Sequence, residues 1–251
     1  MKMKKLMTVA ATALCASVFA NTPVESSNIV GYASGATTSG NKIMGSQFSA
    51  VSADGIDLNS VIVVGYDAEE GTEAEVTVQS LDNLGKGGAT YFFYDVPGEL
   101  YGWLDGTDEP VEDGTVVLAK GEGLWVSAPN ASFALQTAGS VQTEKYGVLL
   151  RSGNKMVVNS TPVAVDLNTI DVAGYDEEEG TEAEVTVQTL DGFGKGGVTY
   201  FFYDVPGELY GWLDGTDEPV EDGAMMIQPG EGLWVSSPSD AFLLEIPGVS
   251  L

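Results

Sequence analysis

A 24-residue stretch occurs twice in this chain without a change. Residues 91–114 read YFFYDVPGELYGWLDGTDEPVEDG, and residues 200–223 read the same. Around it, residues 65–127 align without a gap to 174–236 at an offset of 109. Upstream the match thins. Ser39-Gly40-Asn41-Lys42 corresponds to Ser152-Gly153-Asn154-Lys155, with four residues fewer between the second set and Asp166. A repeat of about 110 residues is too long for a solenoid unit and has the size of a domain.

The pattern inside each unit is that of strands. Val76 and Val78 alternate with Thr77 and Gln79, the period of a half-buried strand. In Val96-Pro97-Gly98-Glu99, Pro fixes φ at the first central position and Gly supplies the positive φ of a type II turn. The flanking segments 89–95 and 100–105 then form a hairpin. Residues 61–66 (VIVVGY) read as a strand buried on both faces, and Asp171 in the second copy solvates one face of its counterpart. Gly121-Glu122-Gly123 reads as a strand breaker, and Trp125 and Trp234 as core. No stretch keeps a 3.6-residue apolar period. The expected fold is all-β, with two tandem homologous β-sandwich-like domains, 21–140 and 141–251, of eight or nine strands each. A single pseudo-symmetric sandwich is the alternative. The junction 137–143 (TAGSVQT) has no Pro-rich or Ser-rich linker, so the units should touch.

Residues 1–20 have the pattern of a secretory signal peptide. Lys2, Lys4 and Lys5 form a positive start, an apolar run extends from Leu6 to Phe19, and Val18 and Ala20 stand where a signal peptidase reads. The single Cys is Cys15, inside that run. The mature chain then holds no disulfide and depends on its core, on ions or on assembly. A secreted protein of the extracellular space or cell envelope is expected, without membrane insertion of the mature chain.

The 37 acidic residues all lie after residue 20, against seven basic ones there, so the mature charge is near −30. Neither nucleic acid nor anionic lipid gains from such a surface. Cations, cationic partners and neutral glycans remain. The chain has no His, and with Cys15 removed the commonest catalytic bases and nucleophiles are absent. A non-enzymatic role follows as the expectation, with no catalytic residues assigned.

Three kinds of site compete. Each acidic loop brings five carboxylates within nine residues: Asp105, Asp108, Glu109, Glu112 and Asp113, repeated as Asp214, Asp217, Glu218, Glu221 and Asp222. Close-spaced hard oxygens suit Ca²⁺, the candidate cofactor, although the spacing is not that of an EF-hand. The other reading is a solvated acidic turn. Tyr101 and Trp103, with Tyr210 and Trp212, share a strand face and could form a stacking platform for glycans if exposed; buried, they are core. Exposed strand edges could pair between copies, with divalent ions bridging the acidic loops. A structural or adhesive protein, calcium-stabilised, is the leading expectation, and a tandem carbohydrate-binding module the alternative.

Two short motifs carry a resemblance. Asn28-Ile29-Val30-Gly31-Tyr32 follows the signal peptide, and Gly121-Glu122-Gly123-Leu124-Trp125-Val126 lies near the end of the unit. This layout resembles uncharacterised secreted β-rich proteins of planctomycete and verrucomicrobial-type bacteria, in which an N-x-V-G-Y start and a G-x-G-[FL]-[FW]-V near-end frame one domain. The second repeat departs at its start, with Glu144-Lys145-Tyr146-Gly147. The resemblance implies a Gram-negative-type exported protein and carries no activity.

Overall fold

The computed structural model describes residues 30–37, 40–48, 55–81, 87–130, 132–174, 180–190, 196–238 and 242–249. The expected signal peptide and the centre of the glycine-rich loop, 82–86, lie outside these residues. The protein is all-β, with 57% of it in strands. Among the described residues, helix is confined to two 3₁₀ turns, Leu58–Ser60 and Leu167–Thr169.

The first repeat holds β1 (Val30–Ala36), β2 (Gly40–Met44), β3 (Ile56–Asp57), β4 (Ile62–Val64), β5 (Thr72–Leu81), β6 (Gly87–Val96), β7 (Leu100–Leu104), β8 (Val117–Leu118), β9 (Leu124–Ala128) and β10 (Ala134–Ser140). The second holds β11 (Tyr146–Leu149), β12 (Gly153–Val158), β13 (Val165–Asp166), β14 (Asp171–Ala173), β15 (Thr181–Leu190), β16 (Gly196–Val205), β17 (Leu209–Leu213), β18 (Met226–Ile227), β19 (Gly232–Ser237) and β20 (Leu243–Ile246). Among the described residues each repeat has ten strands rather than eight or nine, because the two-residue pairs β3–β8 and β13–β18 add to the count.

The sheet orders are the same in both repeats. Five strands run β2-β9-β5-β6-β7 in the first and β12-β19-β15-β16-β17 in the second. Three run β1-β10-β4 and β11-β20-β14. In the first repeat Val76, Val78, Phe93, Trp103, Leu124 and Val126 of the larger sheet join Val63 and Leu135 of the smaller one in a single buried cluster. Val185, Val187, Phe202, Trp212, Leu233 and Val235 join Val172 and Leu244 in the second. Alternation along β5 puts Val76 and Val78, both 0% exposed, into that core.

β4 corrects an expectation. Val61 and Val63 are buried, but Ile62 is 40% exposed, so successive side chains alternate between the core and a face turned to solvent. Asp171 takes the matching outward position in β14, so both copies solvate that face.

The two repeats meet along a seam at the other end of the large sheets. Val158 N–H donates to Gly121 O at 2.9 Å, and Gly123 N–H donates to Met156 O at 3.0 Å. Reciprocally, Gly45 N–H donates to Gly230 O at 3.1 Å. Isolated antiparallel bridges join Glu122 to Val157 and Met44 to Glu231. Each Gly-Glu-Gly therefore pairs with the second strand of the other repeat rather than merely ending its own. Ile43, Met156 and Val158 are buried together there, with Leu81, Leu190, Trp125 and Trp234 packed around them. The two indoles are half-buried and meet edge to face at 6.5 Å, so they seal the seam instead of filling either core.

Close approach dictates glycine at this crossing. A Cβ on Gly232 would lie 2.1 Å from Ile43 Cγ2, and one on Gly123 would lie 2.9 Å from Val158 Cγ1. Gly232→Ala should lower the melting temperature through overpacking worth about 1–3 kcal/mol. Gly215→Ala, at a site with open space, should stay within about 0.5 kcal/mol. Thermal melts of the two variants check this, and equal melting temperatures would contradict the seam.

Candidate functional site

The hairpin that precedes each acidic turn forms as its turn residues demand. Glu99 N–H donates to Val96 O at 3.0 Å, and Gly98 sits at φ 80°. The register sets Phe93 opposite Trp103 and Asp95 opposite Tyr101. Phe93 meets Trp103 edge to face at 5.2 Å. The Trp103 indole N–H donates to Val61 O at 3.0 Å, which ties the hairpin to the chain segment entering the smaller sheet. Phe202, Trp212 and Ile170 repeat this arrangement.

These contacts correct the stacking platform. Trp103 and Trp212 are each 2% exposed, while Tyr101 and Tyr210 are each 63% exposed. The pairs do share a face, but Trp103 lies opposite Phe93 over the core and Tyr101 lies nearer the hairpin tip. Each hairpin thus offers a single exposed ring. Tyr210 also donates to Asp171 Oδ1 at 2.6 Å.

After β7 the acidic turn closes on itself. Asp105 Oδ1 accepts from Thr107 N–H and Thr107 Oγ1, both at 2.8 Å, and from Glu109 N–H at 3.2 Å. Asp108 takes a positive φ of 61°, which a short polar side chain tolerates. The turn then folds back on the open edge of β7: Val111 N–H donates to Trp103 O at 2.9 Å, and Leu104 bridges to Pro110. From the other side, Asn59 Nδ2 donates to Val111 O at 2.8 Å and to Asp113 Oδ1 at 3.0 Å. Asp57 Oδ2 accepts from Gly114 N–H at 2.8 Å. Asp214, Asp166 and Asn168 hold the second turn in the same way.

The five carboxylates of each turn therefore divide. Asp105 and Asp113, with Asp214 and Asp222, are engaged by the protein itself. Among the described residues the carboxylates of Asp108, Glu109 and Glu112 take no hydrogen bond or ion pair, and the same holds for Asp217, Glu218 and Glu221. Among the described residues no three acidic side chains gather as a group able to hold a metal ion. The turn is shaped by its own hydrogen bonds.

Beside the first turn lies an open cleft of about 770 Å³. It is lined by residues 89–92 of β6, by 105, 106 and 109–112 of the turn, and by Thr115 and Val116. Sequence reasoning missed it, because the cleft forms where β6 outruns β7. One signal was available: the otherwise matching lining differs between repeats at Ala89/Val198, Thr115/Ala224 and Val116/Met225.

Comparison with protein-family models, with curated proteins and with solved structures returned no match to this chain.

The Thr107 hydroxyl first, then the N–H groups of Thr107 and Glu109, hold the Asp105 carboxyl below its ordinary range; Asp214 is held down likewise by Thr216 and Glu218. A depressed carboxyl contributes stability that is present above its ordinary pKa and is lost as pH falls through the depressed one. The turns should hence loosen only below about pH 4, the ordinary Asp range. Thermal melts between about pH 5 and pH 2 should show a shallower acid slope in an Asp105→Asn/Asp214→Asn variant. An unchanged slope would contradict the role given to these two groups.

Proposed function

We propose that this is a secreted, non-enzymatic structural or adhesive protein, built from two tandem β-domains over 21–140 and 141–251. Its working parts are the two acidic turns. One observation carries this reading: the identical turns follow the outermost strand of each large sheet, β7 and β17, while the seam joins the sheets at their other ends. The molecule thereby offers two like ends on one body. The two separate buried clusters, drawn from 44–135 and 146–246, support a domain for each repeat.

Each turn presents three unengaged carboxylates on a backbone that is already ordered, so little conformational entropy is lost when they bind. Calcium takes six to eight oxygens. Three carboxylates spread along one turn leave its coordination incomplete, and a turn from a second molecule supplies the remainder. Calcium in this reading is a bridge between copies. Two ends per molecule then convert a weak contact into a multivalent one. Neutralising the turns also relieves the repulsion expected from 37 acidic residues against seven basic ones after residue 20.

Light scattering of the mature protein at about a millimolar calcium, the range of extracellular sites, should show growth in mass that a chelator reverses. Glu109→Gln/Glu112→Gln should stop growth at small assemblies by blocking one end. Adding Glu218→Gln/Glu221→Gln should leave monomers. Monomeric wild type throughout the calcium range would overturn the proposal.

A further inference from the structure

The cleft beside the first turn has a property that the turns alone lack. β6 pairs with β5 from Gly87 onwards, but with β7 only from Phe92 to Val96. Along residues 87–91, no strand among the described residues covers the second edge of β6. An open edge offers backbone N–H and C=O groups to an added strand. Residues 89–91 of this edge line the cleft together with Glu109 and Glu112. Among the described residues no Lys or Arg lines the cleft.

We propose that the first repeat binds an extended basic segment of a partner protein in this cleft. The segment adds to the free edge of β6 as a further strand, so its backbone supplies affinity. Alternate Lys or Arg side chains reach Glu109 and Glu112, whose carboxylates have no partner among the described residues. Their aliphatic stems lie against Tyr91 and Val111, which are only partly buried against the core. Charge complementarity selects the occupant, since a chain with 37 acids against 10 bases repels an acidic one.

The second repeat supplies an internal control. Its carboxylates and aromatics are unchanged, but Val198 replaces Ala89 and Met225 replaces Val116. Val198 is 51% exposed at the lip, and Met225 packs partly against the core. Both are bulkier than their counterparts, although Ala224 is smaller than Thr115, and on this proposal the two bulkier side chains obstruct the added segment in the second repeat. One site per chain is therefore expected, although the acidic turns number two.

This inference does not depend on calcium bridging, and its test runs in chelator so that the two stand or fall separately. Fluorescence anisotropy would follow a labelled alternating Lys-Val peptide added to the mature protein at low salt. Saturation at one peptide per chain and weakening with salt are expected. Ala89→Val/Val116→Met, which installs side chains the second repeat already accommodates, should weaken binding by about tenfold or more, as should Glu112→Gln. The reverse exchange, Val198→Ala/Met225→Val, should raise the stoichiometry to two. Absence of binding, equal binding of an alternating Glu-Val peptide, or indifference to both exchanges would overturn the proposal.

Discussion

The glycine crossing at the seam is the constraint on which the whole arrangement rests. Two β-sheets can be joined by side-chain packing alone, but packing permits many crossing geometries. Here backbone pairs with backbone, through Gly123 N–H to Met156 O and Gly45 N–H to Gly230 O. Such bonds are worth about 1 kcal/mol each net, so they contribute more to geometry than to stability. They fix which strand lies against which, and only residues without a Cβ can stand where Ile43 and Val158 press against Gly232 and Gly123. Burial of Ile43, Met156 and Val158 adds the larger share of the energy. Because the same Gly-Glu-Gly serves in both repeats, the seam has the reciprocal character of an isologous contact, made within one chain.

The acidic turn answers a second constraint, that of the sheet edge. β7 ends its five-stranded sheet, and an open edge of aromatic residues invites pairing with a neighbour. The turn folds back so that Val111 takes the Trp103 carbonyl, and Pro110, which has no N–H to offer, stands against Leu104. The carboxylates of Asp108, Glu109 and Glu112 then surround the covered edge. Local anchoring and charge thus act together: Asp57, Asn59 and Asp105 hold the loop in place, and the remaining acids keep strands of other molecules away. In the reading proposed above, contact between molecules at this end proceeds through cations or basic groups.

Much of this was legible in the sequence wherever the determinant is local. Pro97-Gly98 specified the hairpin, and the alternation of Val76 and Val78 specified the buried face of β5. What could not be read were distances across the fold. Periodicity assigned Tyr101 and Trp103 to one face correctly, yet one is exposed and the other buried. Burial depends on how far a position lies from the end of the sheet, and strand period carries no such information. Trp125 and Trp234 read as core for the same reason. They alternate with Leu124, Val126, Leu233 and Val235, which are buried, but their own face meets the other repeat. Gly-Glu-Gly looked like a local break because its partners, Met156 and Met44, are remote in sequence.

The pattern of identity and difference between repeats follows the physics of each region. The 24-residue hairpin and turn are unchanged, and the positions that shape them are committed. Phe93 and Trp103 interlock, Asp105 and Asp113 hold the loop, and Gly98 sustains the positive φ of its turn. The departure at Ala89/Val198 falls on an exposed position, and that at Val116/Met225 exchanges one partly buried apolar residue for another. Two copies of one scaffold can diverge at such places without disturbing fold or seam. On the functions proposed above, like turns and unlike clefts would let the molecule hold its own kind at both ends while meeting another partner at one end alone.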